Sequence, residues 1–159
     1  MKKIVSALLV LAVLLTAAAY ADSVPSISSD LFADAKEALS LLSYGEFQRV
    51  SELLPFSGAA PDASEWERFA ENFETLNSGT VQREVSVAFW INSTWYLAVP
   101  VSDPDRDSVE AFVLSSADGE TFSGYKYTTW GNVEKGYESS DYVKWNKEYV
   151  AGTPIVIGD

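Results

Sequence analysis

The chain has 159 residues with 23 acidic against 11 basic side chains, a net charge of −12, and neither Cys nor His. Without them there are no disulfides, no Ser-His-Asp or Cys-His catalysis and no His-containing zinc site, so any metal would have to sit among oxygen ligands. The acid excess sets the surface against nucleic acid and anionic lipid, whose phosphates need Lys and Arg clusters.

Met1-Lys2-Lys3 is a short basic start, and residues 4–19 are uncharged and mostly Leu, Val and Ala. Ala19-Tyr20-Ala21 has the small-x-small form of a cleavage site, so 1–21 read as a cleavable signal peptide. A membrane anchor is the competing reading, but the apolar run falls short of the ~20 residues of a spanning helix and ends in small residues. Export to an extracellular or periplasmic space follows, with no membrane insertion after cleavage. Residues 22–28 are expected as a flexible leader and 29–159 as a single domain, long enough for a real core. Five Trp, eight Phe and seven of the chain's eight Tyr lie in that domain and supply its core.

Ser29 or Asp30 can cap a first helix carrying Leu31, Ala35, Leu39 and Leu42 on one stripe. Ser43-Tyr44-Gly45 breaks it, and a short second helix presents Phe47, Val50, Leu53 and Leu54 before Pro55. Ser64 and Glu67 have capping-box spacing, with Asp62 as an alternative cap, ahead of a third helix with Trp66, Phe69, Ala70, Phe73 and Leu76 on its stripe.

From Thr80 the apolar period changes to two, predicting strands around Val85, Val87, Phe89 and Ile91 and around Trp95, Leu97, Val99 and Val101. A two-residue loop at Asn92-Ser93 would set Val87 opposite Ala98. A three-residue loop sets Phe89 opposite Leu97 and Val87 opposite Val99, sharing one face. Since a one-residue slip exchanges faces, an odd-length loop or a bulge is expected. Asn92-Ser93-Thr94 matches a glycosylation acceptor but reads as turn chemistry. Further strands are expected over 108–115 and 121–130, joined by the Asp118-Gly119 turn. Residues 131–140 read as a loop, 141–150 fit either a helix or a strand, and 155–157 form a short terminal strand. The fold class is α+β: three N-terminal helices on one face of an antiparallel meander.

Ala38-Leu39-Ser40-Leu41-Leu42-Ser43-Tyr44-Gly45-Glu46-Phe47 resembles the helix, Gly-acid-aromatic, helix opening of nuclear transport factor two-like (cystatin-like) domains, which include bacterial secreted domains of unknown function. The element order over about residues 30–130 agrees. The resemblance implies a curved sheet wrapped around helices with a pocket at the wide end. Enzymes of that superfamily use His, Asp or Tyr in the cone; this chain has no His.

Asp103, Asp105 and Asp107 alternate as in a calcium loop. Ser108 and Leu114 stand where the helix-loop-helix calcium loop needs Gly and Glu, so a solvated turn is the first reading and a weak calcium site the second. Trp90, Trp95, Tyr96, Tyr125, Tyr127 and Trp130 lie on predicted strands. Trp90 and Tyr96 alternate away from the core face set by Trp95, which makes them the candidate ligand-binding residues; packing under the C-terminal segment is the alternative. Glu84 would be a general base only inside a pocket, and its position puts it on the polar face. No Gly-x-Ser-x-Gly elbow is present, and Gly is too sparse for a phosphate cradle.

The expected function is that of an exported, non-enzymatic binding domain needing no cofactor. Its partner would be a small apolar ligand held between helices and sheet, or a glycan or cell-surface protein on a Trp90/Tyr96 face. The alternatives are a carboxylate- and tyrosine-based hydrolase or isomerase of the cone superfamily, and an accessory subunit of a cell-surface assembly.

Overall fold

The computed structural model describes residues 24–78, 80–81, 86–103 and 108–145. Helix α1 (Ser29–Ser43) is capped by Ser28, one residue ahead of the expected caps, whose Oγ accepts from the Asp30 N–H at 3.2 Å. It ends at Gly45 with φ of 73°. The Glu46 N–H donates to the Leu41 carbonyl at 2.9 Å and the Gly45 N–H to the Leu42 carbonyl at 3.1 Å, the paired bonds of a Schellman motif. Here glycine supplies the left-handed residue such an ending requires. Helix α2 (Phe47–Leu53) follows.

Helix α3 (Ala63–Asn72) uses Asp62 and Glu65 as its capping box, not Ser64 and Glu67. The Asp62 carboxylate accepts from the Glu65 N–H, and the Glu65 carboxylate from the Asp62 N–H, both at 2.9 Å. Its chain direction breaks at the buried Phe73, and α4 (Glu74–Ser78) carries Leu76 into the same core.

Strands β1 (Thr80–Val81), β2 (Val87–Ile91), β3 (Thr94–Asp103), β4 (Ser108–Ser116), β5 (Gly124–Thr129) and β6 (Tyr142–Trp145) form one antiparallel sheet in the order β5-β4-β3-β2-β6, with β1 also on β3. The β2–β3 turn has two residues, Asn92 and Ser93, at φ of 51° and 59°, as a type I′ turn requires. This corrects the expected odd-length loop: Phe89 lies opposite Tyr96 and Val87 opposite Ala98. The expectation assumed one apolar face, whereas this sheet is buried on both.

Toward the N-terminal helices it presents Ala88, Trp95, Leu97, Val99, Phe112 and Leu114. Toward the other side it presents Val87, Phe89, Ala98, Ala111 and Val113, which pack with Trp130 and Val133. Those last two belong to helix α5 (Trp130–Glu138), where a strand end and a loop were expected. Helices therefore cover both faces, not one. Helix α5 carries the chain from the β5 edge to the opposite edge, where β6 pairs with β2 and resolves 141–150 in favour of a strand as far as Trp145.

Residues 24–28, expected as part of a flexible leader, lie against the fold. The Trp95 Nε1–H donates to the Pro25 carbonyl at 2.9 Å, the Ser28 N–H to the Gly119 carbonyl at 2.9 Å and the Lys144 ammonium to the Ile27 carbonyl at 3.2 Å, while Ile27 is buried. The expected signal peptide and the expected terminal strand at 155–157 lie outside the described residues.

Candidate functional site

The register of β2 to β5 assembles a cleft on the face covered by α5. Cross-strand pairing sets Phe89 beside Tyr96 and Val113 beside Lys126. The Phe89 and Tyr96 rings stack at 5.5 Å and 24°. Helix α5 starts directly after β5, so it passes over these side chains with Trp130, Val133 and Tyr137 toward the sheet. Ile91 and Thr128 complete the walls, and Asn132, Val133 and Gly136 the roof, of a cleft of ≈ 290 Å³.

Gly136 sets the height of that roof. A Cβ there would fall 2.6 Å from Phe89 Cζ and 2.7 Å from Cε2, so only a glycine lets the helix rest on this ring. Asn132 is held by Nδ2 donating to Thr128 Oγ1 at 2.9 Å. The Lys126 ammonium stands 5.6 Å from the Tyr96 ring centroid, within cation–π range. Among the described residues the one side-chain ion pair joins Arg49 to Glu46, leaving Lys126 without a carboxylate partner.

The cleft can thus enclose apolar matter and offer it one cation, a phenol, a hydroxyl and a carboxamide. Among the described residues its lining holds no carboxylate.

Of the two residues singled out by alternation, Tyr96 lines this cleft. Trp90 does not, because the two-residue turn places it on the helix-side face, half-buried 5.5 Å from Trp95. Trp90 and Tyr96 therefore belong to opposite faces and cannot form one platform, which corrects the expected shared Trp90/Tyr96 surface. Beside Trp90, on β6, Tyr142 is 52% exposed. Trp130 is buried on the sheet-facing side of α5, while Tyr125 and Tyr127 project from β5 toward the N-terminal helices. Asp103 is buried at the end of β3; Asp105, Asp107 and Glu84 lie outside the described residues.

Sequence reasoning missed Phe89, Lys126, Val133 and Gly136 as cleft residues. The legible signal was the spacing of Trp130, Val133 and Tyr137, three then four residues apart, which is helical. No helix among the described residues is long and apolar enough to cross a membrane. Comparisons with protein-family models, curated proteins and solved structures return no match.

Proposed function

We propose that the chain is an exported binding domain that takes a small amphipathic molecule into the cleft between α5 and the sheet. The carrying observation is the cleft itself: an apolar interior floored by Phe89, Tyr96 and Val113, with the Lys126 ammonium, which has no carboxylate partner among the described residues, at its wall. Its volume, ≈ 290 Å³, lies at the lower end of ligand pockets and suits an apolar body of few heavy atoms. Lys126 favours a ligand with a carboxylate or another acceptor at one end, and the apolar floor supplies the rest of the affinity.

Export rests on residues 1–21, with their basic start, apolar run and Ala19-Tyr20-Ala21 exit. The nuclear transport factor two-like resemblance is supported by the order of helices before an antiparallel meander, which we take to curve around them as in that cone. Helix α5 and β6 are a return that the resemblance does not include. The hydrolase or isomerase reading draws nothing from this cleft, whose lining among the described residues offers no carboxylate.

Calorimetric titration of the purified protein with octanoate, octanol and octyltrimethylammonium tests the proposal. Octanoate is expected to bind with a Kd of about 10 μM to 1 mM, as suits a ligand of this size, and more tightly than the other two. Lys126→Met should abolish the preference for octanoate over octanol, and Tyr96→Ala should weaken all binding. Equal or tighter binding of octyltrimethylammonium, or full binding by Tyr96→Ala, would count against this site.

A further inference from the structure

A second cleft lies on the other side of the sheet, where α3 meets β5. Its volume is ≈ 350 Å³, and Glu65, Arg68, Phe69, Asn72, Tyr125 and Tyr127 line it. The pleat of β5 separates the clefts: Lys126 and Thr128 face α5, Tyr125 and Tyr127 face α3. The floor here is aromatic and rigid. Tyr127 stacks on the fully buried Phe73 at 5.1 Å and 8°, and Phe69 meets Tyr127 at 5.7 Å and Tyr125 at 5.3 Å. Tyr127 nonetheless remains 39% exposed, one of three large hydrophobic residues so exposed among the described ones. A ring stacked on a buried neighbour and still wet is already ordered before anything binds, so binding loses little side-chain entropy.

The rim is polar and comes from one helix. Glu65, Arg68 and Asn72 sit three and four residues apart, so α3 places them in one row above the rings. Each ends in a planar hydrogen-bonding group. Arg68 has no carboxylate partner among the described residues. Asn72 Nδ2 donates to the Arg68 carbonyl at 2.6 Å, and Glu65 gives one oxygen to the cap of α3 at 2.9 Å. Burial, then the nearby Glu65, holds the Tyr125 phenol above its ordinary pKa range, so it stays a donor.

We propose that this cleft is a subsite for a neutral pyranose unit of a glycan. The apolar C–H face of a sugar ring matches the Tyr127 ring, and neighbouring hydroxyls match planar groups that donate and accept in pairs. Glu65 and Arg68 offset each other's charge, so the rim favours an uncharged polar ligand over an ion. The cleft lies on β5, the sheet edge with no further strand among the described residues, which leaves room beside it for a polysaccharide chain. This site shares no residue with the α5 cleft and stands or falls separately from the function proposed above.

Saturation-transfer NMR and calorimetric titration with cellohexaose, xylohexaose, laminarihexaose and chitohexaose, on the purified protein, test the proposal. At least one hexasaccharide is expected to bind saturably, with transfer concentrated on its ring C–H protons. Arg68→Met and Tyr127→Ala should each weaken it about tenfold, while Lys126→Met leaves it unchanged. Tyr127→Phe keeps the stack on Phe73 and should retain binding, which separates loss of the platform from loss of the fold; far-UV circular dichroism checks each variant. Failure of all four hexasaccharides to bind the wild-type protein would overturn the proposal. So would undiminished binding by a folded Tyr127→Ala, or loss on Lys126→Met alone.

Discussion

Gly119→Ala should cost far more than an exposed turn normally does. Gly119 sits at φ of 78°, where an L-residue loses about 1–2 kcal/mol. A Cβ there would also fall 2.2 Å from the Ser26 carbonyl oxygen, 3.0 Å from its carbon and 3.1 Å from Ile27 Cα. These are backbone atoms, so no rotamer change relieves the clash, and residues 24–28 must lift away. Their departure breaks the Ser28 N–H bond to the Gly119 carbonyl and the Trp95 indole bond to the Pro25 carbonyl. It also exposes Ile27, whose burial is worth about 1.5–3 kcal/mol. The sum is roughly 4 kcal/mol, a large share of the ~5–15 kcal/mol that holds a domain together. Urea unfolding followed by Trp fluorescence should show the midpoint falling by about 2 M, given a slope of ~1–3 kcal/mol per M. Gly58→Ala is the control, since nothing lies within 4 Å of a Cβ at that position. A loss of only about 1–2 kcal/mol, the backbone term alone, would refute the docking of residues 24–28.

Gly136→Ala should lower stability by about 1 kcal/mol net, because crowding the Phe89 ring outweighs the helix propensity alanine adds; thermal unfolding reads it, and a gain would show that α5 does not rest on that ring. Ser93→Gly should stabilise by about 0.5–1 kcal/mol, since the second turn residue at φ of 59° is one glycine adopts freely; an unchanged urea midpoint would argue against the type I′ turn. Asp118 accepts from Thr121 Oγ1 at 2.7 Å and from the Thr121 and Glu120 N–H groups at 2.8 and 2.9 Å, which together hold its carboxyl well below the usual range. A lowered folded-state pKa contributes stability that is present above the unfolded value near ~3.9 and lost as pH falls toward the folded one. Asp118→Ala should therefore cost about 1 kcal/mol at pH 7, modest because the turn is exposed, and unfolding curves for variant and wild type should converge as pH drops below ~4.

The helices before the sheet were legible because each carries one apolar stripe and its own punctuation. Gly45 ends α1, and the stripe of Trp66, Ala70 and Phe73 enters the core. Helix α5 was not legible in the same way: Gly131 and Gly136 lower its intrinsic preference, and Trp130 reads equally well as the last residue of a strand. That omission propagated. Without a helix on the second face, alternation demands that both apolar sets of β2 and β3 share one side, which takes an extra turn residue. With α5 in place, both parities of those strands are buried, and the pattern alone no longer selects a register. The candidate site suffered likewise. Tyr96 was found because it alternates away from Trp95, but its neighbours Lys126 and Gly136 acquire meaning only through long-range pairing.

The docking of residues 24–28 has a temporal side. Pro25 is bonded to a side chain 70 positions later, and Ile27 to one 117 positions later. Contacts so distant close large loops, and they become favourable only after the intervening chain has found its place. A chain emerging from its N-terminus exposes these residues early and satisfies them only once Lys144 has appeared. Docking of residues 24–28 is therefore a late step, and a chain halted before β6 lacks part of the surface these residues need.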